Sequence, residues 1–289
     1  MKHIFLVNSF SLREKTNNMI DRINRVASNL NLDYVIEVND INNTTEDIVN
    51  KYKKNEDVIY AIGGDGVINR VLNSIIDTKN TLGFIPCGTG NDFYRTVKET
   101  FKYKIEDVDL LKINDRYFIN VSCFGVDADI GNNKVVLRNR LIPKSMKYTL
   151  SIISHFLKYT PRKLKVLMDN KTYNGLFSTI CVCNARYYGG GYKINPNGDI
   201  KDGKFEVIVA NKLNKFELLK FVFKTRKGSH IKEKNVKCFQ TDKITIKSED
   251  EITANIDGEE LTSNTFKISL SNKKIKVYYN QKIINALKD

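Results

Sequence analysis

Two stretches of this chain combine glycines and small polar residues at spacings that suit phosphate chemistry. In AIGGDGVINRV (Ala61–Val71), Gly63, Gly64 and Gly66 bracket Asp65, directly after an apolar run and directly before a helical pattern. Glycine lets a phosphate oxygen approach the main chain with no Cβ in the way. A helix N-terminus adds unpaired N–H groups and the positive end of the helix dipole. Asp65 is the odd member, because a carboxylate repels phosphate unless a cation lies between. Mg²⁺ held through Asp65, directly or through water, resolves the conflict.

The second stretch, PCGTGNDFYR (Pro86–Arg95), follows the next strand pattern. Gly88 and Gly90 again permit close approach, and Thr89 can donate its hydroxyl to a phosphate oxygen. Asn91 and Asp92 are also natural caps for the helix that follows. Neither turn is a P-loop, and G-x-G-x-x-G is absent from the chain. Two further acidic turns stand out. NIDGEEL (Asn255–Leu261) places Asp257 and Glu259 two residues apart around Gly258. Taken alone, it equally describes a hairpin turn with solvated acids. NGDIKDGK (Asn197–Lys204) sets Asp199 and Asp202 beside glycines.

These turns need a scaffold, and the first third of the chain supplies alternation. Apolar runs at 4–8, 34–38, 57–64 and 81–88 predict strands. Helical stripes at 17–30, 44–52 and 67–76 lie between them, with Thr44 or Thr45 as a cap. Such alternation predicts a parallel sheet with helices on both faces. Near residue 107 the pattern changes. Two strands meet at a turn at Asn114-Asp115, and one helical region covers 143–159. Strand patterns then follow at 164–168, 173–183, 205–210, 243–247, 252–256, 266–270 and 275–279, interrupted by a basic helix at 215–227. This second part predicts a sandwich or barrel.

The 289 residues carry 47 Lys+Arg against 33 Asp+Glu, a net charge of +14. That surface suits polyanions: nucleic acid, anionic lipid or phosphate-bearing substrates. No aromatic-basic signature of a nucleic-acid reader accompanies the charge, so no nucleic-acid partner is expected. Five scattered cysteines argue against a disulfide framework. No signal-peptide or membrane-spanning pattern occurs, which predicts a cytoplasmic protein whose membrane contact is peripheral. Two amphipathic basic stretches, 214–228 and 144–165, are the candidates for that contact. The three histidines, His3, His155 and His230, lack ligand spacing.

The pair GGDGVIN and GTGNDF resembles the catalytic domain of the diacylglycerol kinase family, in its bacterial soluble lipid-kinase branch. The segments 117–130, 184–207 and 255–261 resemble later family segments in the same order, so the likeness spans nearly the whole chain. The resemblance implies an α/β N-terminal domain with a parallel sheet and flanking helices, and a mostly β-sandwich C-terminal domain, with the site in the cleft between. Domain limits follow as 1–118 and 119–279, with a C-terminal helix at 280–289 packing back on the first domain. It implies ATP-dependent phosphorylation of a lipid hydroxyl, diacylglycerol giving phosphatidic acid, with Mg²⁺ and ATP bound. Gly63, Gly64, Asp65, Gly66, Val67, Ile68, Asn69, Arg70 and Thr89 would then contact the nucleotide, and Asn39 and Asn8 are weaker candidates. Asp65 joins Asp257 and Glu259 as catalytic. The lipid hydroxyl needs a proton acceptor as it attacks phosphorus, and Asp257 is the first choice, with Glu259 as partner or alternative. A structural Mg²⁺ is implied at Asp202, with Asp199 and Lys204 lending carbonyls. Val67 replaces the family's usual Thr, and Arg70 its usual Glu. Those departures keep a non-catalytic lipid- or nucleotide-binding relative as an alternative, beside a NAD kinase-like enzyme sharing G-G-D-G. A homodimer is compatible with all of these.

Overall fold

A computed structural model describes residues 1–9, 13–88, 90–125, 128 and 160–288. By contacts the chain divides into two units. The first comprises Met1–Asn91, Val97–Val108 and Lys273–Asp289; the second comprises Asp92–Thr96 and Asp109–Asn272. This division differs from the sequence limits in three places. The segment from Lys273 returns to the first unit, and both Asp92–Thr96 and residues 109–118 join the second.

In the first unit, β1 (His3–Asn8), β3 (Val58–Gly63) and β4 (Thr81–Pro86) are buried nearly throughout. Strands covered on both faces are written as continuous apolar runs, as these are. β1 pairs in parallel with β2 (Tyr34–Asn39) on one side and with β3 on the other. β3 pairs in parallel with β4. Beyond β4 lies the end of a long strand, β13 (Glu259–Tyr278), whose Val277 and Tyr278 pair in parallel with Leu82 and Gly83. The chain leaves β1 in one direction to reach β2, and β3 lies on β1's other side. That reversal of order marks a switch point, where open parallel sheets present ligand sites at their carboxyl ends. Asn8, Asn39, Gly63 and Pro86 are the last residues of these four strands.

The helices of this unit are α1 (Arg13–Asn29), α2 (Thr45–Tyr52), α3 (Asp65–Ile75) and the C-terminal part of α4 (Asp92–Thr100). Thr44 caps α2 in a capping box with Asp47. Near the C-terminus, Asn280 caps a last helix, Gln281–Leu287, which buries Ile283, Ile284 and Leu287. The Arg22 guanidinium of α1 donates to the carbonyls of Ala286 at 3.3 Å and Lys288 at 3.0 Å.

The second unit is built from antiparallel pairs. β9 (Lys171–Cys183) lies against β7 (Val121–Gly125), β8 (Arg162–Met168) and β10 (Phe205–Asn211). β10 also pairs with β11 (Val236–Thr241), and β12 (Lys243–Ile256) pairs with β13, β7 and β8. β5 (Ile105–Ile113) pairs with β6 (Arg116–Phe118), turning at Asn114 with φ 49°, and also with β13. Four strand patterns in the sequence prove to be two long strands. The polar residues between Lys247 and Ile252 are absorbed as an irregularity in β12, and Ser271–Lys274 lies within β13. One core gathers Phe124, Phe177, Phe205 and Phe266. A second gathers Cys123, Cys181, Cys183 and Ile208 beneath α5 (Lys215–Thr225). The helical pattern at 143–159 lies outside the described residues, as do most of the basic stretch at 144–165 and His155.

His230 belongs to this second core. It is fully buried, hydrogen-bonded through Nε2 to the Ile194 carbonyl at 2.9 Å, and edge-on to Phe221. Burial lowers its pKa from 6.5 to about 4. The depressed value means the unfolded chain takes up the proton first. The neutral ring's contribution is therefore complete above pH 6.5 and is lost as pH falls toward 4, about 3 kcal/mol in all. Urea unfolding between pH 6.5 and 5 is expected to show a clearly shallower pH dependence in His230→Gln than in the parent chain.

Candidate active site

The first glycine turn is built as strand, one cap residue, helix. β3 ends at Gly63, Gly64 is the N-cap of α3, and Asp65 is its first residue. No side chain caps this helix, and the Gly64 carbonyl accepts the N–H groups of both Val67 and Ile68. Asp65 is half-buried at the exposed end of the helix dipole.

The glycines here meet a steric demand before any ligand is considered. A Cβ on Gly88 would lie 2.5 Å from the Cα of Gly64 and 3.0 Å from its nitrogen. A Cβ on Gly63 would lie 2.6 Å from Cγ2 of Val67. The two turns therefore touch main chain to main chain, and Val67 packs over Gly63. Asn91 holds the second turn: its Oδ1 accepts the Gly88 N–H and its Nδ2 donates to the Gly88 carbonyl, both at 3.0 Å. Asn91 stands at the N-cap of α4 in left-handed backbone (φ 54°) with its side chain spent on the turn instead of the helix. Gly88→Ala is expected to cost about 1–3 kcal/mol, because main chain must move to admit the methyl. A fall in the urea midpoint, together with weaker nucleotide binding, would register it.

Of the other residues assigned to the nucleotide, Asn69 is buried and Arg70 exposed. The Ile68 side chain is 1% exposed and belongs to the core, so a nucleotide contact there falls to its main chain. Asn39 pairs with Asn8 across the β1–β2 ladder and donates through Nδ2 to Thr45 Oγ1 at 2.8 Å, which ties the strand end to α2. Thr89 lies outside the described residues.

In the second unit, Asp257 and Gly258 are the two central residues of the hairpin joining β12 to β13, with Ile256 opposite Glu259. Both have positive φ, 49° and 90°, as a type I′ turn requires. The hairpin reading of DGEE is thus right in its geometry and wrong about the first acid. Asp257 is 4% exposed. Its Oδ2 accepts the N–H of Ile119 at 2.9 Å, and its Oδ1 accepts those of Asn120 at 3.0 Å and Val121 at 2.9 Å. Three main-chain donors on both oxygens make it a clamp on the segment entering β7. They leave it little capacity to take a proton from a substrate. Glu259 is only half-buried.

One acid was legible only as a helix cap. Asp92, 3% exposed, accepts the N–H of Gly190 at 2.8 Å through Oδ2 and that of Gly191 at 2.7 Å through Oδ1. Gly189, Gly190 and Gly191 all have positive φ, and this turn aims the N–H groups of Gly190 and Gly191 at the Asp92 carboxylate. The one signal in the sequence was the GGG run itself, and its partner lay nearly a hundred residues earlier.

Asp202 lies with Asp199 and Asp109. Burial raises its pKa first, and the charges of Asp199 and Asp109 add to the rise. Its Oδ1 accepts the Lys204 N–H at 3.0 Å, Asp199 Oδ1 accepts that of Lys201 at 3.1 Å, and Asp109 Oδ2 accepts that of Gly203 at 2.7 Å. Among the described residues no three His, Cys, Asp or Glu side chains gather as a metal site. The oxygen donors suit a hard cation only as a shell of one carboxylate completed by carbonyls and water.

Comparison with known proteins places these features. Residues 2–115 match the diacylglycerol kinase catalytic domain, and residues 120–279 match the YegS C-terminal NAD kinase beta sandwich-like domain. The chain belongs to the diacylglycerol kinase family. It is 26% identical over 223 residues to a diacylglycerol kinase of Bacillus subtilis (strain 168), covering 70% of this chain and 71% of the relative. It is 30% identical over 219 residues to a diacylglycerol kinase of Staphylococcus haemolyticus (strain JCSC1435), covering 72% and 66%. Two solved chains from Bacillus anthracis str. Sterne superpose with TM-scores of 0.77 and 0.70, at 22% and 19% identity, each over 98% of both chains. The second is described as a diacylglycerol kinase. The family makes this a kinase with ATP as co-substrate and its second domain a β-sandwich-like one.

Proposed function

We propose that the chain transfers the γ-phosphate of Mg·ATP to the hydroxyl of diacylglycerol, giving phosphatidic acid. The observation that carries this reading is the contact of Gly64 with Gly88 at the ends of β3 and β4, with an uncapped helix starting at the next residue. That contact sets the ends of two parallel strands against each other beside a positive helix end, which suits phosphate. Asp65 beside it suits a Mg²⁺ that would shield phosphate charge when bound. A second Mg²⁺ at Asp202, with carbonyls of Asp199 and Lys204, would be structural.

In this reading Glu259 is the proton acceptor and Asp257 positions it. Asp257 spends its lone pairs on Ile119, Asn120 and Val121, whereas Glu259 is half-buried and follows directly in the hairpin. The acceptor takes the proton of the attacking hydroxyl as its oxygen bonds to phosphorus and the bond to the ADP oxygen breaks.

Val67 and Arg70 favour one second reading, a lipid- or nucleotide-binding protein without turnover. The test is transfer of labelled phosphate from ATP with Mg²⁺ to a panel of lipids in mixed micelles, with NAD as control acceptor. Labelled phosphatidic acid is expected. Label on NAD would make the chain a NAD kinase, and binding of Mg·ATP with no transfer to any lipid would support the second reading.

A further inference from the structure

The helix α5 has two apolar stripes, and the fold uses one. Leu218, Phe221, Val222 and Thr225 are buried against the second core. Phe216, Leu219 and Phe223 share the other face at i, i+3 and i+7, exposed by 85%, 38% and 68%. Two exposed phenylalanines on one helix are costly in water and call for a partner.

The charges on this helix decide which one. Lys215, Lys220, Arg226 and Lys227 are exposed along it. The nearby acids are engaged within the fold. Glu233 pairs with Lys220 at 2.8 Å and with Lys224. Glu217 accepts the N–H of Asn214 at 2.8 Å and the Nδ2 of Asn235 at 2.9 Å. The result is an aromatic stripe edged by cations. A second copy on a two-fold axis would set cations against cations.

We propose that α5 is an interfacial helix that lays Phe216, Leu219 and Phe223 onto an anionic bilayer, with its cations over the lipid headgroups. The choice of a bilayer rests in part on the lipid-kinase reading, because that substrate resides in one. The surface lies wholly on the second unit and uses none of the residues assigned to phosphoryl transfer.

The chain contains no tryptophan, so Phe223→Trp provides a single reporter. Its emission is expected to shift to the blue with vesicles of phosphatidylcholine and phosphatidylglycerol, and to stay fixed with phosphatidylcholine alone. In co-sedimentation with the anionic vesicles, Phe216→Ser/Phe223→Ser is expected to bind about tenfold or more weakly. Arg226→Glu/Lys227→Glu should show a loss of similar size. All four positions are exposed, so unchanged thermal unfolding is expected to accompany both losses. Vesicle binding by both variants at the parent level, or tryptophan emission from Phe223→Trp that is indifferent to anionic vesicles, overturns the proposal. So does a dimer in the parent chain that the serine variant converts to a monomer with no vesicle binding in either. Transfer to a water-soluble short-chain diacylglycerol separates the two readings. Transfer without vesicle binding ends this inference alone, and vesicle binding without transfer ends the kinase reading alone.

Discussion

Glu259→Gln is expected to lower kcat by about 10²–10⁴-fold, the usual worth of a positioned proton acceptor. Glutamine keeps the size and the hairpin but cannot accept the hydroxyl proton. Binding of Mg·ATP, followed by calorimetry, should be unchanged, and so should the urea midpoint. The loss should therefore appear in kcat at saturating lipid rather than in nucleotide affinity. A variant that turns over at the parent rate would remove Glu259 from the chemistry. The proton would then have to leave by another route, and Asp257 would return as the candidate despite its three donors.

Asp257→Ala is expected to produce the largest loss of stability, about 3–5 kcal/mol. The substitution leaves the N–H groups of Ile119, Asn120 and Val121 without their acceptor inside the fold. It also puts alanine at φ 49°, which only glycine, asparagine and aspartate adopt at low cost. Asp257→Asn separates the two effects. It tolerates the backbone but turns one oxygen into a donor facing a donor, and should cost about 1–3 kcal/mol. Activity should fall in both, and in the asparagine variant it should partly recover under conditions that stabilise the fold, such as lower temperature. An asparagine variant as stable as the parent but fully inactive would mean that Asp257 acts in the chemistry itself.

The contrast between these two acids shows where sequence reasoning ends. The D-G-E motif marks both as a pair, and by family resemblance the sequence reading puts Asp257 first. The argument for reversing that order depends on N–H groups 136 to 138 residues earlier in the chain. The glycine turns were legible because strand period, glycine cluster and helix period follow one another directly in the chain. Their mutual contact was not, because Gly64 and Gly88 belong to different turns. The strands β12 and β13 were each read as two, since KSEDE and SNKK carry the polar composition of turns. Alternation continues through such residues when one face is in water, and pairing with a neighbour overrides local propensity. In α5 the opposite confusion arose. Residues 216, 219, 222 and 223 form one plausible stripe in the sequence, but Val222 faces the core while the other three face out. An apolar arc wide enough for two faces has no unique direction until something packs against half of it.

The path of β13 bears on how this protein is made. Val277 and Tyr278 complete the hydrogen bonding of Leu82 and Gly83 on β4. On a ribosome, the residues of β1 to β4 emerge before the second unit, yet the strand that closes this side of their sheet is translated only after it. Until then β4 must wait with its outer edge unsatisfied, an invitation to pair with another nascent chain. The unit begun ahead of the other is thus closed after it, and a stop codon placed just ahead of Val277 would leave it open.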